Sequence, residues 1–215
     1  MTVEERRRYK PNDRLVYALT LSAVALRSPR SDNRVSIVLD AAASLFAEKG
    51  YVATSMRDIA QRCGMLPGSL YYHFAAKEDL LVAVYERGVA ELLVNVRTAI
   101  AKEAEPWLRL QAACTAHLET VLRRSDYAQV LIRVLPDDVA PSVARLAELR
   151  DEYENQLASL IGALPLANGT DRKALRLMLI GALNWSRFWF APGGRDTPRS
   201  LARKFVCFLK EAQGV

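Results

Sequence analysis

Gly50, Gly64 and Pro67 cut the stretch between Val35 and Leu81 into three short helical segments, and that punctuation constrains the chain more than any other feature. Before the first break, Val35, Val38, Leu39, Ala42, Leu45 and Phe46 recur at helical spacing and give a single apolar face. Gly50 follows Lys49 as a natural C-cap, because glycine enters the left-handed conformation without steric penalty. Thr54 or Ser55 can N-cap a second helix, with Asp58 near its positive end and Ile59 and Ala60 turned inward. Gly64 supplies a tight turn after Cys63. Pro67 suits the first turn of a third helix, where its missing N–H costs nothing. That helix runs to about Phe74, with Leu70 and Phe74 inward and Gly68, Ser69, Tyr71, Tyr72 and His73 outward.

A two-turn helix is unstable alone and has to be carried by its neighbours. This is how a helix-turn-helix presents a recognition helix to the DNA major groove. Small residues at the start of the helix let its backbone approach base edges. The candidate DNA-binding residues are Thr54, Ser55, Arg57, Pro67, Gly68, Ser69, Tyr71, Tyr72, His73 and Lys77. Among them the Thr54 and Tyr72 hydroxyls and the Lys77 ammonium are expected to meet phosphates, which position a helix without specifying sequence.

The pattern T-S-x-x-D-I-A beginning at Thr54, followed by G-x-x-x-G-x-L-Y-x-H-F-x-x-K-x-x-L beginning at Gly64, is similar to the DNA-binding domain of TetR-family regulators. The likeness covers about Val35 to Leu81. Cys63 departs from it, standing where the family usually has alanine, and so does Leu66, standing where it often has a capping serine. The resemblance implies an all-α fold of about nine helices or more. A three-helix head at 31–80 is joined by a long helix to a helical body at 81–215 that binds an effector and dimerises. It further implies a homodimeric repressor of a palindromic double-stranded DNA operator, released by a small molecule.

Charge distribution limits how such a head can hold DNA. The chain carries a formal +6, but residues 31–80 have five Lys/Arg against six Asp/Glu. Affinity therefore rests on a few placed groups and on two copies acting together. Residues 1–30 are basic, with seven Lys/Arg against three Asp/Glu. They read as an extra helix, a disordered leader, an over-long start or an arm touching DNA. The apolar run Leu15–Leu26 after ERRRYKPNDR mimics a secretory signal, but Arg27 and Arg30 follow it where small residues belong. Three scattered cysteines, Cys63, Cys114 and Cys207, form no disulfide framework and suit a reducing cytoplasm. No stretch is long enough to span a membrane.

The rest of the chain reads as helix. Leu80, Leu81, Val84, Tyr85, Val89, Leu92, Leu93 and Val96 give an apolar face to a long helix from Lys77 to about Ala104. Helices then follow from Pro106 to about Arg124, from Asp126 to Leu135 behind a Ser125 cap, and from Pro141 to near Leu164. The last two run from about Asp171 to Phe190 and from Pro198 to Ala212. This final pair is apolar on more than one side, which suits burial against both the body and a second subunit. The expected dimer residues are Leu175, Met178, Leu179, Ala182, Phe205 and Phe208. Trp107, His117, Val121, Tyr127, Leu131, Leu135, Tyr153, Trp185 and Phe188 mix apolar bulk with polar tips and are the expected effector pocket. The segment Trp185-Ser-Arg-Phe-Trp189-Phe-Ala-Pro192-Gly193-Gly194 resembles an ending found in acyl-CoA-responsive TetR regulators of fatty-acid and sterol catabolism. That likeness implies a lipid-like or acyl-CoA effector.

An enzyme is not indicated, because no nucleophile elbow, zinc-protease helix, phosphate-cradling loop or acid–base pair is present. Cys114 and His117 alone do not make a metal site, and no cofactor is expected. The competing reading is a helical ligand- or partner-binding protein whose head no longer binds DNA, a reading left open by Leu66 and the acidic head.

Overall fold

A computed structural model describes residues 29–123, 125–134 and 143–212. The chain divides into two compact units, residues 1–37 and 38–215, and the second contains both head and body. Among the described residues there are nine helices and no strand. They are α1 (Pro29–Lys49), α2 (Met56–Arg62), α3 (Pro67–His73), α4 (Lys77–Ile100), α5 (Pro106–Leu122), α6 (Asp126–Arg133), α7 (Val143–Gly162), α8 (Arg172–Trp189) and α9 (Pro198–Ala212). The N-terminal extension through residue 28 lies outside the described residues.

Local chemistry sets the helix ends in the head. Gly50 takes φ 85° and donates its N–H to the Phe46 carbonyl at 3.0 Å, closing α1. Ser55 caps α2 and exchanges hydrogen bonds with Asp58 in a capping box. Gly64, at φ 65°, donates to Gln61 and the Met65 N–H reaches back to Ala60, a Schellman ending. Leu66 supplies no side-chain cap to α3, so Pro67 at the first helical position starts that helix. Val38, Ala42, Leu45, Phe46, Ile59, Ala60 and Leu70 are buried in the core that holds the three helices together. Burial of each leucine there contributes roughly 1.5–3 kcal/mol.

Helix α4 serves head and body alike. Leu80, Leu81 and Val84 extend the head core, and Val89, Leu92, Leu93 and Val96 continue it into the body. In the body α5 packs on α4, α7, α8 and α9. The expected bounds shift by a few residues. Helix α4 stops at Ile100, where the Ala101 and Lys102 N–H groups fold onto the Arg97 and Ala99 carbonyls, and Glu105 then caps α5 through the Leu108 N–H at 2.8 Å. Ser125 caps α6 as expected, and Asp171 caps α8 through two N–H groups.

Candidate DNA-facing surface and effector cavity

Helix α3 buries only Leu70. Pro67, Gly68, Ser69, Tyr71 and Tyr72 are exposed, Tyr72 by 83%. His73 is half-buried beside Tyr72, and its Nδ1 has no hydrogen-bond partner among the described residues. A Cβ added at Gly68 would meet no atom within 4 Å, so the fold itself does not require glycine there. Ser55 and Arg57, at the start of α2, are also exposed. Arg62 ties α2 to α1 through Glu48 and Ser44, and the hydrogen bonds from Arg62 and from Ser44 hold the Glu48 carboxyl down to about 2.

Two expected phosphate contacts are corrected. Thr54 is buried, and its hydroxyl donates to the Gly50 carbonyl at 2.8 Å and towards Leu45 at 3.3 Å. Lys77 points its ammonium at the Thr54 and Tyr51 carbonyls, at 2.8 and 2.9 Å, and lies 4.2 Å from the centre of the Tyr51 ring. Both side chains serve carbonyls of the bend between α1 and α2 rather than phosphates. The Tyr51 hydroxyl in turn donates to Glu78 at 2.9 Å.

The body holds a cleft between α4, α5, α6, α7 and α8. Tyr85, Val89 and Leu92 line it from α4, and His117, Thr120 and Val121 from α5. Helix α6 contributes Ala128, Leu131 and Ile132, α7 contributes Arg150, Tyr153 and Glu154, and α8 contributes Ile180 and Asn184. At its polar pole the Tyr153 hydroxyl donates to His117 Nδ1 at 2.5 Å. The opposite ring nitrogen, Nε2–H, donates to the Asn184 amide oxygen at 3.1 Å. Burial pushes His117 down to about 4, so the ring is neutral, and burial raises the Tyr153 phenol well above its ordinary range.

Of the expected pocket residues, His117, Val121, Leu131 and Tyr153 meet in this cleft and four others do not. Trp107 is core at the start of α5, under the Lys210 ammonium. Tyr127 turns to α1 and donates its hydroxyl to Asp40 at 2.7 Å. Trp185 and Phe188 stack on each other on the outer surface, 63% and 60% exposed, because their side of α8 faces away from α5. Leu135 lies outside the described residues. Sequence reasoning missed Arg150, Glu154 and Asn184. Arg150 and Glu154 lie one turn apart on α7 and Asn184 on α8, and only the packing of the two helices brings them to one cleft.

The expected dimer stripe is likewise rotated. Leu175 and Leu179 are buried in the protomer's own core, where the geometry of α8 places them with Leu183 and Ser186. Met178 of the expected stripe is exposed, and it forms a continuous exposed row with Leu177, Gly181, Trp185, Phe188 and Trp189. Phe208 on α9 is exposed too, and Ala182 and Phe205 are half-buried. Among the described residues no three His, Cys, Asp or Glu side chains gather to hold a metal, and no helix is long and apolar enough to cross a membrane.

The sequence profile of the tetR family of bacterial regulatory proteins matches residues 38–84, and that of a tetracyclin repressor-like C-terminal domain matches 103–212. The HTH-type transcriptional repressor KstR2 of Mycobacterium tuberculosis is 29% identical over 185 residues, covering 83% of this chain and 92% of its own length. The HTH-type transcriptional activator FasR of Mycolicibacterium smegmatis is 26% identical over 167 residues, 76% of this chain and 74% of its own. Among solved structures, AibR in complex with isovaleryl coenzyme A and operator DNA superposes with a TM-score of 0.70. It is 26% identical, over 81% of this chain and 97% of that one.

Proposed function

The chain belongs to the tetR family of bacterial regulatory proteins, and from that premise we propose that it is a homodimeric repressor of a palindromic operator, released by a small apolar or acyl-CoA-like effector. The observation that carries this reading is the exposure of α3, with Leu70 its only buried residue and open space around Gly68. Helix α3 enters the major groove with Gly68, Ser69, Tyr71, Tyr72 and His73 towards the bases and backbone, while Ser55 and Arg57 meet phosphates. The exposed row on α8, with Phe208, docks on its counterpart in a second copy and sets two heads one helical turn apart. KstR2, a named repressor, supports the sign of regulation, and the AibR complex supports a coenzyme A thioester.

Helix α6 joins cavity to head. Its Ala128, Leu131 and Ile132 line the cleft. Its other side is bonded to α1, through Tyr127 to Asp40 at 2.7 Å and through Arg133 to the Ala47 carbonyl at 2.6 Å. Leu131 also presses on α4, so closely that a Cβ at Gly88 would lie 3.1 Å from it. An effector that needs this space moves α6 outwards and disturbs both bonds to α1. It shifts the equilibrium only by as much as it prefers the moved state.

The test is a titration of a duplex that the wild type selects from a random-sequence library. Tyr72→Ala is expected to bind it about tenfold more weakly, a loss of roughly 1.4 kcal/mol, with an unchanged melting temperature. Equal affinity for both proteins refutes the reading. The uncapped Leu66 and the acidic head favour one alternative, a helical partner-binding protein whose head does not use DNA. Failure of the wild type to select any duplex supports that alternative.

A further inference from the structure

Two charged side chains line the cleft, and only one of them is already neutralised. Glu154 pairs with Arg176 at 3.2 Å, with both side chains about four-fifths buried. Arg150, one turn earlier on α7, has no hydrogen-bond or ion-pair partner among the described residues. The buried Tyr85 phenol across the cleft, whose proton affinity burial raises, feels the charge of Arg150 first and that of Glu154 after it. At the polar pole burial keeps both His117 and the Tyr153 phenol neutral. The cleft therefore presents one uncompensated positive charge against walls of Val89, Leu92, Val121, Leu131 and Ile180. A neutral apolar ligand seated there would strip water from that guanidinium and return nothing, and a cation would be repelled.

The polar pole adds a second requirement. The Asn184 amide oxygen faces His117 Nε2 and accepts from it, and His117 Nδ1 accepts from the Tyr153 hydroxyl, so the carboxamide turns its N–H groups away from the ring. Both N–H groups of Asn184 are left without a protein partner among the described residues. They are donors waiting for an acceptor oxygen.

We infer that Arg150 and Asn184 are the recognition pair of this cavity, and that its ligand is an apolar acyl compound bearing an anionic group for Arg150 and a carbonyl oxygen for Asn184. The anion is either the carboxylate of a free organic acid or a phosphate of its coenzyme A thioester. Both place a negative charge and a carbonyl on an apolar body. The inference rests on the reading of this cleft as the effector site.

The experiment measures binding of octanoyl-, isovaleryl- and cyclohexanecarbonyl-CoA, the three matching acids and the three primary amides to the full chain by calorimetry. The proteins are wild type, Arg150→Met, Arg150→Lys and Asn184→Leu. At least one acid or thioester is expected to bind the wild type. It should bind at least tenfold more weakly to Arg150→Met and Asn184→Leu, with partial recovery in Arg150→Lys, while the amides bind weakly and equally to wild type and Arg150→Met. An acid that binds identifies the carboxylate, and a thioester that binds without its acid identifies the phosphate. Operator affinity matching wild type shows that each variant is folded. Should the anions bind Arg150→Met as tightly as wild type, the pair is wrong. A wild type that binds the amides as tightly as the anions, or binds amides alone, keeps an effector cavity and overturns the anion. Absence of binding in every arm overturns both the anion and the effector cavity, and leaves the Tyr72→Ala titration to judge the DNA reading by itself.

Discussion

Helix α3 and the body cleft are built on opposite plans. The helix keeps one leucine inside and puts a run of consecutive residues into solvent, so its chemistry lies on a single short segment. The cleft draws from five helices, and its polar pole joins residues as far apart as His117 and Asn184. A surface of the first kind reads a large, flat partner, and its residues can be exchanged with little effect on folding. A cavity of the second kind is also part of the core, so its polar groups carry stability as well as recognition. The difference is measurable, because changes on α3 should separate binding from stability and changes in the cleft should not.

The sharpest break in this contrast is Leu70, the one α3 residue that belongs to the core. Leu70→Ala should cost about 2–5 kcal/mol, as buried leucine truncations do. It should also abolish DNA binding by releasing α3. Denaturant unfolding checks the first effect, and limited proteolysis between residues 63 and 76 checks the second. Stability within experimental error of wild type would mean that α3 is not held by its core contact.

In the cleft, His117 ties stability to pH. Its folded value of about 4 lies below the ordinary 6.5, so the unfolded chain binds the proton first as pH falls. The native state keeps its full stability above about 6.5 and loses it progressively between 6.5 and 4. The loss reaches about 3 kcal/mol at roughly 1.36 kcal/mol per pK unit. His117→Gln removes the titration. The stability gap between wild type and this variant should therefore shift in the variant's favour as pH falls from 7 to 4.5. A gap that stays constant over that range would show that the ring is not held neutral.

Much of the head was legible before the structure, because its determinants are local. Gly50 and Gly64 end helices wherever they sit, Pro67 starts one, and Ser55 with Asp58 closes a capping box within four residues. Thr54 and Lys77 were misread because their true partners are backbone carbonyls, which leave no mark in a sequence pattern. On α8, periodicity sorts residues into faces but does not say which face meets the core. Leu175 and Leu179 went to the protomer's interior, and Trp185 and Phe188 to its outer surface, the reverse of expectation. Arg150 and Asn184 lay beyond reach altogether, since their meaning comes from a cavity that only the packed helices create.

Lys77 tests the corrected role of that residue. Its ammonium serves the Tyr51 and Thr54 carbonyls from a half-buried position. Lys77→Met should lower stability by roughly 1–2 kcal/mol, below the full value of a buried charged hydrogen bond. The salt dependence of DNA binding should keep its slope. A lower slope with unchanged stability would return Lys77 to the phosphates.

The smallest effect on folding belongs to Arg57, which is exposed at the start of α2. Arg57→Ala should leave stability within about 0.5 kcal/mol of wild type. Its effect falls instead on the counterions released when the head docks. Each phosphate contact contributes about 0.9 to the slope of log affinity against log salt, so a dimer that sets two heads on one operator should lose about 2. That size makes the variant informative beyond its own contact. A loss near 1 would mean that a single head is engaged, which breaks the two-headed geometry without touching α3. No change at all would take Arg57 off the DNA and leave binding to Ser55 and α3.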